Sequence, residues 1–128
     1  MSRARILVVD DDEMHLVCTK ELLEAEGYEV LVHVGAFGAT QQVLLNAPDL
    51  VLVDVNMPAL SGEGLVAVLR GREKTRGVRI LLHSSNDEQA LRKVAARLAI
   101  DGWVPKGDPG ELRRRVADVL RSGQARPR

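Results

Sequence analysis

The sequence has a single cysteine, Cys18, and no apolar stretch long enough to cross a membrane. One cysteine excludes a disulfide bond within the chain and fits a reducing compartment. Residues 1–4, which precede the first predicted strand, lack the apolar segment of a secretion signal. The 128 residues also lack internal repeats, linkers and low-complexity stretches, which predicts one domain. These absences favour a soluble, cytoplasmic protein that does not insert into membranes.

The chain has no net charge, but its charges are unevenly distributed. Residues 1–64 contain 11 acidic residues and 3 lysines or arginines, whereas residues 65–128 contain 7 acidic residues and 15 lysines or arginines. We expect part of the acidic excess to surround a cation site, and the basic excess to lie on the later helices, where a partner could bind. An ordinary solvated helix face is the alternative for any single basic residue.

Short bounded apolar runs predict five strands, near residues 5–9, 29–34, 50–54, 79–84 and 101–105. Segments with helical spacing follow each of them, and this alternation predicts an α/β fold with a doubly wound parallel sheet. The first, third and fourth runs are the most apolar and should be central. The second and fifth contain polar residues or proline, as edge strands do. This pattern supports the strand order 2-1-3-4-5.

The helices should bury the apolar residues that recur at helical spacing. The stripe expected to be buried in the first helix is Met14, Val17, Cys18, Leu22 and Ala25. Cys18 should therefore be an inert core residue. The residues expected to be buried in the third helix are Leu65, Val68 and Leu69. The fifth helix should begin with Asp108 as its N-cap and Pro109 at its first position.

Two of the apolar runs end in carboxylates. Asp10, Asp11 and Asp12 follow the first run, and Asp54 follows the third. Ligands of an open parallel sheet bind outside the carboxyl ends of its strands, so these acids should share one crevice. They would make a cation site with a possible carboxylate nucleophile, and their repulsion should raise at least one pKa unless a cation is present. Oxygen ligands favour a hard ion such as Mg²⁺.

These acids and the polar residues after the later strands resemble the receiver domain of bacterial response regulators, in its chemotaxis-type single-domain form. The matching residues are Asp10-Asp11 after the first strand, Asp54-x-x-Met57-Pro58-x-x-x-Gly62 after the third, Ser84 after the fourth and Lys106 after the fifth. The spacing is 43 residues from Asp11 to Asp54, 30 on to Ser84 and 22 on to Lys106. The resemblance covers residues 4–121 and implies a flavodoxin-like (βα)5 fold. Residues 1–121 would form the receiver domain, and residues 122–128 a frayed polar tail.

The resemblance implies a phosphorylation switch in a two-component system. Asp54 would accept a phosphoryl group from a histidine kinase or phosphotransfer protein and form an aspartyl phosphate. The ligands of Mg²⁺ would be Asp11, Asp54 and the backbone carbonyl of Asn56, with Asp10 acting through water. The chain itself would be no enzyme, apart from slow hydrolysis of its own phosphate.

The resemblance implies roles for five residues beyond binding of Mg²⁺ and the phosphoryl group by the acids. Lys106 would pair with a phosphoryl oxygen, and the Ser84 hydroxyl would bond to the phosphate and shift the loop before the fourth helix. Trp103 occupies the position of an aromatic that swings between exposed and buried; a fixed, buried edge-strand tryptophan is the alternative. Asn56 and Asn86 would tune hydrolysis by flanking the approach of water.

The output would be protein binding through the fourth helix, fifth strand and fifth helix. The candidate residues of this partner face are Arg92, Lys93, Arg97, Arg113 and Arg114. The downstream partner would be a protein, and no direct binding of nucleic acid is expected.

Some residues depart from the family pattern or have no expected role. Gly107 stands where the family usually has a proline after a cis peptide. Gly62 is expected to shape its loop by permitting a positive φ. His15, His33 and His83 are scattered without ligand spacing. The sequence therefore assigns none of the histidines to the site.

Two other functions remain open on the sequence alone. An aspartate-nucleophile phosphatase of the haloacid dehalogenase type uses a similar set of Asp, Ser or Thr, Lys and Mg²⁺. It needs a second acid two residues after the nucleophile, where Asn56 stands, and usually a cap domain. A receiver-like binding module that signals without phosphate is the other alternative. Labelling with a phosphodonor separates the three functions. A phosphorylation switch keeps a stable label, a phosphatase turns over many phosphates, and a module that signals without phosphate takes no label.

Overall fold

Five parallel strands form one sheet in the order β2-β1-β3-β4-β5. The computed structural model describes residues 3–55, 62–85, 88–98 and 100–122. The strands are β1 (Arg5–Asp10), β2 (Glu29–Val34), β3 (Leu50–Val53), β4 (Arg79–Ser84) and β5 (Gly102–Pro105). The helices are α1 (Glu13–Glu24), α2 (Ala39–Asn46), α3 (Gly62–Gly71), α4 (Glu88–Leu98) and α5 (Pro109–Ser122). The predicted fold class and strand order are confirmed.

The burial of each strand follows its sequence. All residues of β3 and β4 are buried, as is β1 apart from its first residue, whereas β2 and β5 are only partly buried. Strands covered on both faces need apolar side chains throughout, which is why the unbroken runs mark the centre of the sheet. In the register of the sheet, Val9 lies beside Val53, and Val53 lies beside Leu82. The strands therefore end together, and the polar residues after them meet at one edge.

Helices cover both faces of the sheet. Side chains of α2, α3 and α4 pack with one face, around Val51, Val53 and Leu82. Side chains of α1 and α5 pack with the other face, around Val8 and Leu52. The α5 start matches its prediction, because Asp108 Oδ1 accepts the N–H of Glu111 at 3.0 Å. Residues 123–128 of the predicted tail lie outside the described residues.

The predicted buried stripe of α1 is wrong. The buried residues are Leu16, Thr19 and Leu23, and Leu22 is only partly buried. Solvent-exposed instead are Met14, Val17, Cys18 and Ala25. The apolar residues alone did not define the face, because Thr19 faces the sheet although it is polar. Asp12 caps the helix through the N–H groups of Met14 and His15, so α1 begins at Glu13.

The prediction for α3 is wrong at one residue. Val68 is 39% exposed, whereas Val66 is fully buried together with Leu65 and Leu69. Both Val66 and Val68 fit a helical stripe that includes Leu65 and Leu69, so the apolar pattern did not distinguish them. Among the helices of the described ranges, none has the length and apolar composition needed to span a membrane.

Candidate functional site

Three carboxylates lie together at the carboxyl edge of the sheet. One oxygen from each of Asp10, Asp11 and Asp54 lies within 4.8 Å of the others. Asp10 ends β1, Asp54 directly follows β3, and both are buried, whereas Asp11 is exposed. The backbone N–H of Asp54 donates to the carbonyl of Val9 at 3.0 Å, which ties the two strand ends together. The predicted acid pocket is therefore present, open to solvent on the side of Asp11.

Lys106 places a positive charge between two of these acids. Its Nζ lies 2.9 Å from Asp10 Oδ2 and 3.5 Å from Asp54 Oδ2. The lysine follows β5, and its N–H donates to the carbonyl of Ser84 at 2.9 Å. Gly107 next to it has φ +98°, a left-handed conformation that glycine adopts without strain. A left-handed turn at Gly107 therefore directly follows the lysine that lies in the pocket.

The charges in the pocket perturb one another. Burial alone would raise the pKa of Asp10, but the Lys106 hydrogen bond and charge and the Asp12 N–H hold that pKa below its usual value. Burial alone would lower the pKa of Lys106, but hydrogen bonding and charge from Asp10, with Asp54, raise it. Asp10 is therefore not the carboxylate whose pKa the repulsion among the three acids raises. The ammonium of Lys106 supplies the neutralising charge within the protein itself.

The donor set of the pocket fits a hard divalent cation. Three carboxylates within 4.8 Å of one another offer only oxygen ligands, and one of them is exposed. Mg²⁺ binds through few carboxylates and keeps several waters, so an open acidic pocket suits it. Asn56, the other predicted ligand, lies outside the described residues, as do Met57, Pro58 and Asn86.

Ser84 lies at the same edge of the sheet as the acids. It ends β4, is fully buried, and lies opposite Pro105 in the register with β5. Its carbonyl accepts the N–H of Lys106, so the predicted hydroxyl and the predicted lysine are joined through the backbone. The structure thus brings Asp10, Asp11, Asp54, Ser84 and Lys106 to one edge, as the sequence predicted.

Two histidines that the sequence did not assign also lie at this site. His15 Nδ1 is 2.8 Å from Asp10 Oδ2, and the His15 and His83 rings have centroids 4.9 Å apart at an angle of 41°. His83 is buried, and this burial, with smaller contributions from His15 and Lys106, lowers its pKa to about 3. A sequence signal for His15 did exist, because it lies three residues after the N-cap Asp12, where a side chain can reach back across the start of the helix.

Trp103 is held between two arginines. The guanidinium carbon of Arg92, on α4, lies 5.6 Å from the indole ring centroid, and that of Arg115, on α5, lies 5.8 Å from it. Both distances suit cation–π interactions. The indole is partly buried, so Trp103 is neither the fully buried edge-strand tryptophan of the alternative prediction nor a freely exposed one. The sequence did not single out Arg115.

The predicted partner-face residues are exposed, but several already have acidic partners. Within α4, Arg92 pairs with Glu88 at 3.1 Å, and within α5, Arg114 pairs with Glu111 at 2.8 Å. Arg97 pairs with Glu63 of α3 at 2.7 Å. Lys93 and Arg113 are also exposed. These paired charges leave a face that is basic in net terms but partly neutralised.

Gly62 is required for space rather than for a positive φ, which corrects the sequence prediction. It is the first residue of α3, and a Cβ at this position would lie 2.1 Å from the carbonyl oxygen of Asp54. The N–H of Gly62 donates to the carbonyl of Val55 at 3.1 Å. Any side chain at position 62 would therefore collide with the backbone of Asp54.

The comparison with protein families defines the class of protein. The model of the response regulator receiver domain matches residues 6–117. The doubly wound sheet and the pocket of Asp10, Asp11, Asp54 and Lys106 agree with that match. The chain belongs to the response regulator receiver domain family.

Known regulators are similar to the chain over most of its length. It is 33% identical over 117 residues to the transcriptional regulatory protein PrrA of Mycobacterium tuberculosis, which covers 91% of this chain and 50% of that protein. It is 30% identical over 121 residues to the alkaline phosphatase synthesis transcriptional regulatory protein PhoP of Bacillus subtilis, covering 94% of this chain and 50% of that protein. The chain thus spans about half the length of the curated relatives that it matches.

Solved structures show the same fold. A putative response regulator from Chloroflexus aurantiacus matches with a TM-score of 0.86 at 28% identity, covering 94% of this chain and 99% of that one. A CheY-like receiver domain protein from Methanospirillum hungatei matches with a TM-score of 0.86 at 25% identity, covering 96% and 98%.

Membership in this family establishes the general function. This receiver domain is a phosphoacceptor switch of a two-component system, and a receiver domain implies a histidine kinase partner. Receiver domains are phosphoacceptors rather than classical enzymes, which decides against the phosphatase alternative. The acid pocket with Lys106 argues against a module that signals without phosphate.

Proposed function

We propose that Asp54 is the phosphoacceptor of this switch. One carboxylate oxygen would attack the phosphorus of a phosphohistidine, so that an oxygen–phosphorus bond forms while the nitrogen–phosphorus bond breaks and the histidine leaves. The observation that carries this proposal is the position of Lys106 Nζ between Asp10 and Asp54. A nearby ammonium favours the charged form of a carboxylate, which is the form that can act as a nucleophile.

Charge neutralisation around the phosphoryl group is the main task of such a site. Asp11, Asp54 and the carbonyl of Asn56 would hold Mg²⁺, and Asp10 would contact it through water. When bound, Mg²⁺ would supply positive charge that offsets the phosphoryl oxygens. Lys106 would pair with another phosphoryl oxygen, because its flexible stem lets it exchange the carboxylate of Asp10 for the phosphate.

Ser84 and Trp103 would transmit the change. The Ser84 hydroxyl would donate to the phosphoryl group and shift the segment before α4. Trp103, which lies on β5 between α4 and α5, would then move relative to Arg92 and Arg115. Asn56 and Asn86 would set the rate at which water removes the phosphate.

The output of the switch would be protein binding rather than direct contact with nucleic acid. The partner face would comprise Arg92, Lys93, Arg97, Arg113 and Arg114. Their basic character on α4 and α5 suits a partner with acidic groups. The protein would act in the cytoplasm.

The single-domain form of this function is also a proposal. Residues 1–121 would act as a stand-alone receiver, with residues 122–128 as a tail. The chain matches solved receiver domains over nearly their whole length, whereas the curated relatives are about twice as long. An immunoblot of the native protein tests it, because a species clearly longer than 128 residues would contradict it.

Labelling with radioactive acetyl phosphate and Mg²⁺ tests the phosphoacceptor. The wild-type protein should take up one phosphoryl group that is released by alkali, as an acyl phosphate is, and Asp54→Asn should take up none. Asp118→Asn, which removes an exposed acid of α5, is the matched control and should be labelled like the wild type. Label on Asp54→Asn at the wild-type level would show that the phosphoacceptor is another residue.

A further inference from the structure

Asp10 has hydrogen-bond donors on both carboxylate oxygens. Oδ1 accepts the N–H of Asp12 at 3.0 Å. Oδ2 lies 2.8 Å from His15 Nδ1 and 2.9 Å from Lys106 Nζ. The residue is 1% exposed, so its orientation depends on these three contacts rather than on solvent.

The two side chains that donate to Asp10, Lys106 and His15, differ in whether they stay in place when the protein is phosphorylated. Lys106 is shared with Asp54, and its proposed role requires it to move to the phosphoryl group. His15 instead lies in the first turn of α1, and its backbone N–H donates to the N-cap Asp12 at 3.2 Å. When Lys106 leaves, His15 is the side-chain donor to Asp10 that remains among the residues that the structure describes.

The contact also defines which ring nitrogen of His15 holds the proton that is donated to Asp10. An ionised carboxylate can only accept, so the proton that joins the two residues is on Nδ1 of His15. The His83 ring packs against the His15 ring, with centroids 4.9 Å apart. Because His83 is buried at the end of β4, it provides a fixed surface for the imidazole.

We propose that His15 is a positioning residue for the cation site, which keeps the Asp10 carboxylate directed into the acid pocket, and that the His83 ring supports it. This inference rests on the proposed Mg²⁺ site. Replacing a hydrogen-bonding partner that lies outside the direct ligands of a metal commonly changes metal affinity by about 10- to 100-fold. His15 takes no part in bond making or breaking.

The alternative is that His15 only stabilises the start of α1. Two substitutions separate these roles. In His15→Asn the amide Nδ2 is as many bonds from the backbone as Nδ1 of histidine, so the hydrogen bond to Asp10 can form. In His15→Leu the side chain fills similar space but cannot donate. A role confined to helix stability would not depend on that donor.

The affinity for Mg²⁺ is measured by following backbone amide NMR signals during titration, in the absence of any phosphodonor. His15→Leu should weaken Mg²⁺ binding about tenfold, whereas His15→Asn should stay within about twofold of the wild type. His33→Leu is the matched control, because His33 contacts the carbonyl of Phe37 rather than the pocket. Thermal melts without Mg²⁺ show whether each variant is folded.

The outcomes separate this inference from the proposed function. If the wild type does not bind Mg²⁺, or if Asp11→Asn binds it equally well, the proposed cation site is wrong. If the wild type binds but His15→Leu binds as tightly, or if His15→Asn is as weak as His15→Leu, the positioning role of His15 alone is overturned.

The support from His83 is tested in the same titration. His83→Phe keeps a ring against His15 and should keep the wild-type Mg²⁺ affinity. His83→Ala removes the ring and should weaken binding severalfold. Equal affinities in His83→Ala and the wild type would show that His15 does not need this support.

Discussion

At the residue scale, Lys106 stabilises two buried acids that would otherwise repel each other. Lys106→Met keeps most of the side-chain volume but removes the charge and its contacts with Asp10 and Asp54. Because hydrogen bonds to charged groups contribute about 1.5–3 kcal/mol, we expect the free energy of unfolding to fall by about 2 kcal/mol at neutral pH. Urea unfolding without divalent cations measures it. Lys93→Met, at an exposed site on α4, should have little effect.

His83 gives the protein a defined sensitivity to acid. Its pKa is lowered from 6.5 to about 3 in the folded protein, so between these values the unfolded chain binds the extra proton. The free energy of unfolding therefore decreases as pH falls through this window, by up to about 1.4 kcal/mol per pH unit. His83→Phe should remove this dependence.

The His83 prediction is checked by urea unfolding of both proteins between about pH 6.5 and 4.5, within the window that the lowered pKa defines. The lowered pKa of Asp10 does not interfere, because its stabilisation is present above the unfolded value of 3.8 and is lost only below it. His15 and Lys106 are common to both proteins, so their contributions largely cancel. If the free energy of unfolding depends on pH equally in the wild type and in His83→Phe, His83 is not buried in its neutral form.

Most chemically active residues of the site could be predicted from the sequence. Asp10 and Asp54 end apolar runs, and the topology of a parallel sheet makes those ends converge. Lys106 and Ser84 depended on the family resemblance, because a single lysine or serine after a strand has no distinctive pattern. His15 had only its position three residues after the N-cap Asp12 as a signal. His83 had none, since its contact with His15 depends on the rotation of α1 against β4.

At the scale of elements, the rotation of α1 is the main difference between prediction and structure. The sheet-facing side contains Leu16, whereas Cys18 is exposed. Leu16→Ala should therefore lower the free energy of unfolding by about 2–4 kcal/mol, and Cys18→Ser by less than about 0.5 kcal/mol. Urea unfolding compares the two. The native protein should also react with a thiol reagent without unfolding; a protected thiol would contradict the exposed position.

Contacts between α4, β5 and α5 determine how Trp103 can respond. Two guanidinium groups at 5.6 and 5.8 Å hold the indole, each contributing about 0.5–1 kcal/mol. Beryllofluoride with Mg²⁺ should change the Trp103 emission, because phosphorylation biases an existing equilibrium. Arg92→Gln removes one of these contacts and should enlarge the change, whereas Lys93→Gln should not.

Two further variants define the origin of the fluorescence change. Asp54→Asn should abolish it, and Ser84→Ala should weaken it. Identical emission with and without beryllofluoride, while binding is demonstrated by another method, would make Trp103 a fixed residue. The sequence predicted the position of this tryptophan but not its contacts with Arg92 and Arg115. Arg115 follows two other arginines, and nothing in the sequence pattern distinguishes it.

At the scale of the whole molecule, the fold was predictable because its signal is distributed over the chain. Unbroken apolar runs identified the buried strands, and polar residues in the second and fifth runs identified the edges. Individual helix faces were less predictable, because each depends on a few residues such as Thr19 and Val68. Many weak, consistent signals define a topology better than one stripe defines a rotation.

Binding of Mg²⁺ should stabilise the whole fold, because the acids converge only in the native state. The melting temperature should rise with Mg²⁺ concentration in the wild type, and this rise should be much smaller in Asp11→Asn. Asp54→Asn without Mg²⁺ should be as stable as the wild type or more stable, since Asp10 still pairs with Lys106. A melting temperature independent of Mg²⁺ would contradict the cation site.

The contact at Gly62 links Asp54, the proposed phosphoacceptor, to a helix at a distance from the sheet edge. A Cβ at position 62 would lie 2.1 Å from the Asp54 carbonyl oxygen, so the start of α3 packs directly against the Asp54 backbone. The next residue, Glu63, pairs with Arg97 near the end of α4. A strain that begins at the Asp54 backbone therefore has a mechanical route to α4 through main-chain contact and one ion pair. That route needs neither the hydroxyl of Ser84 nor the indole of Trp103.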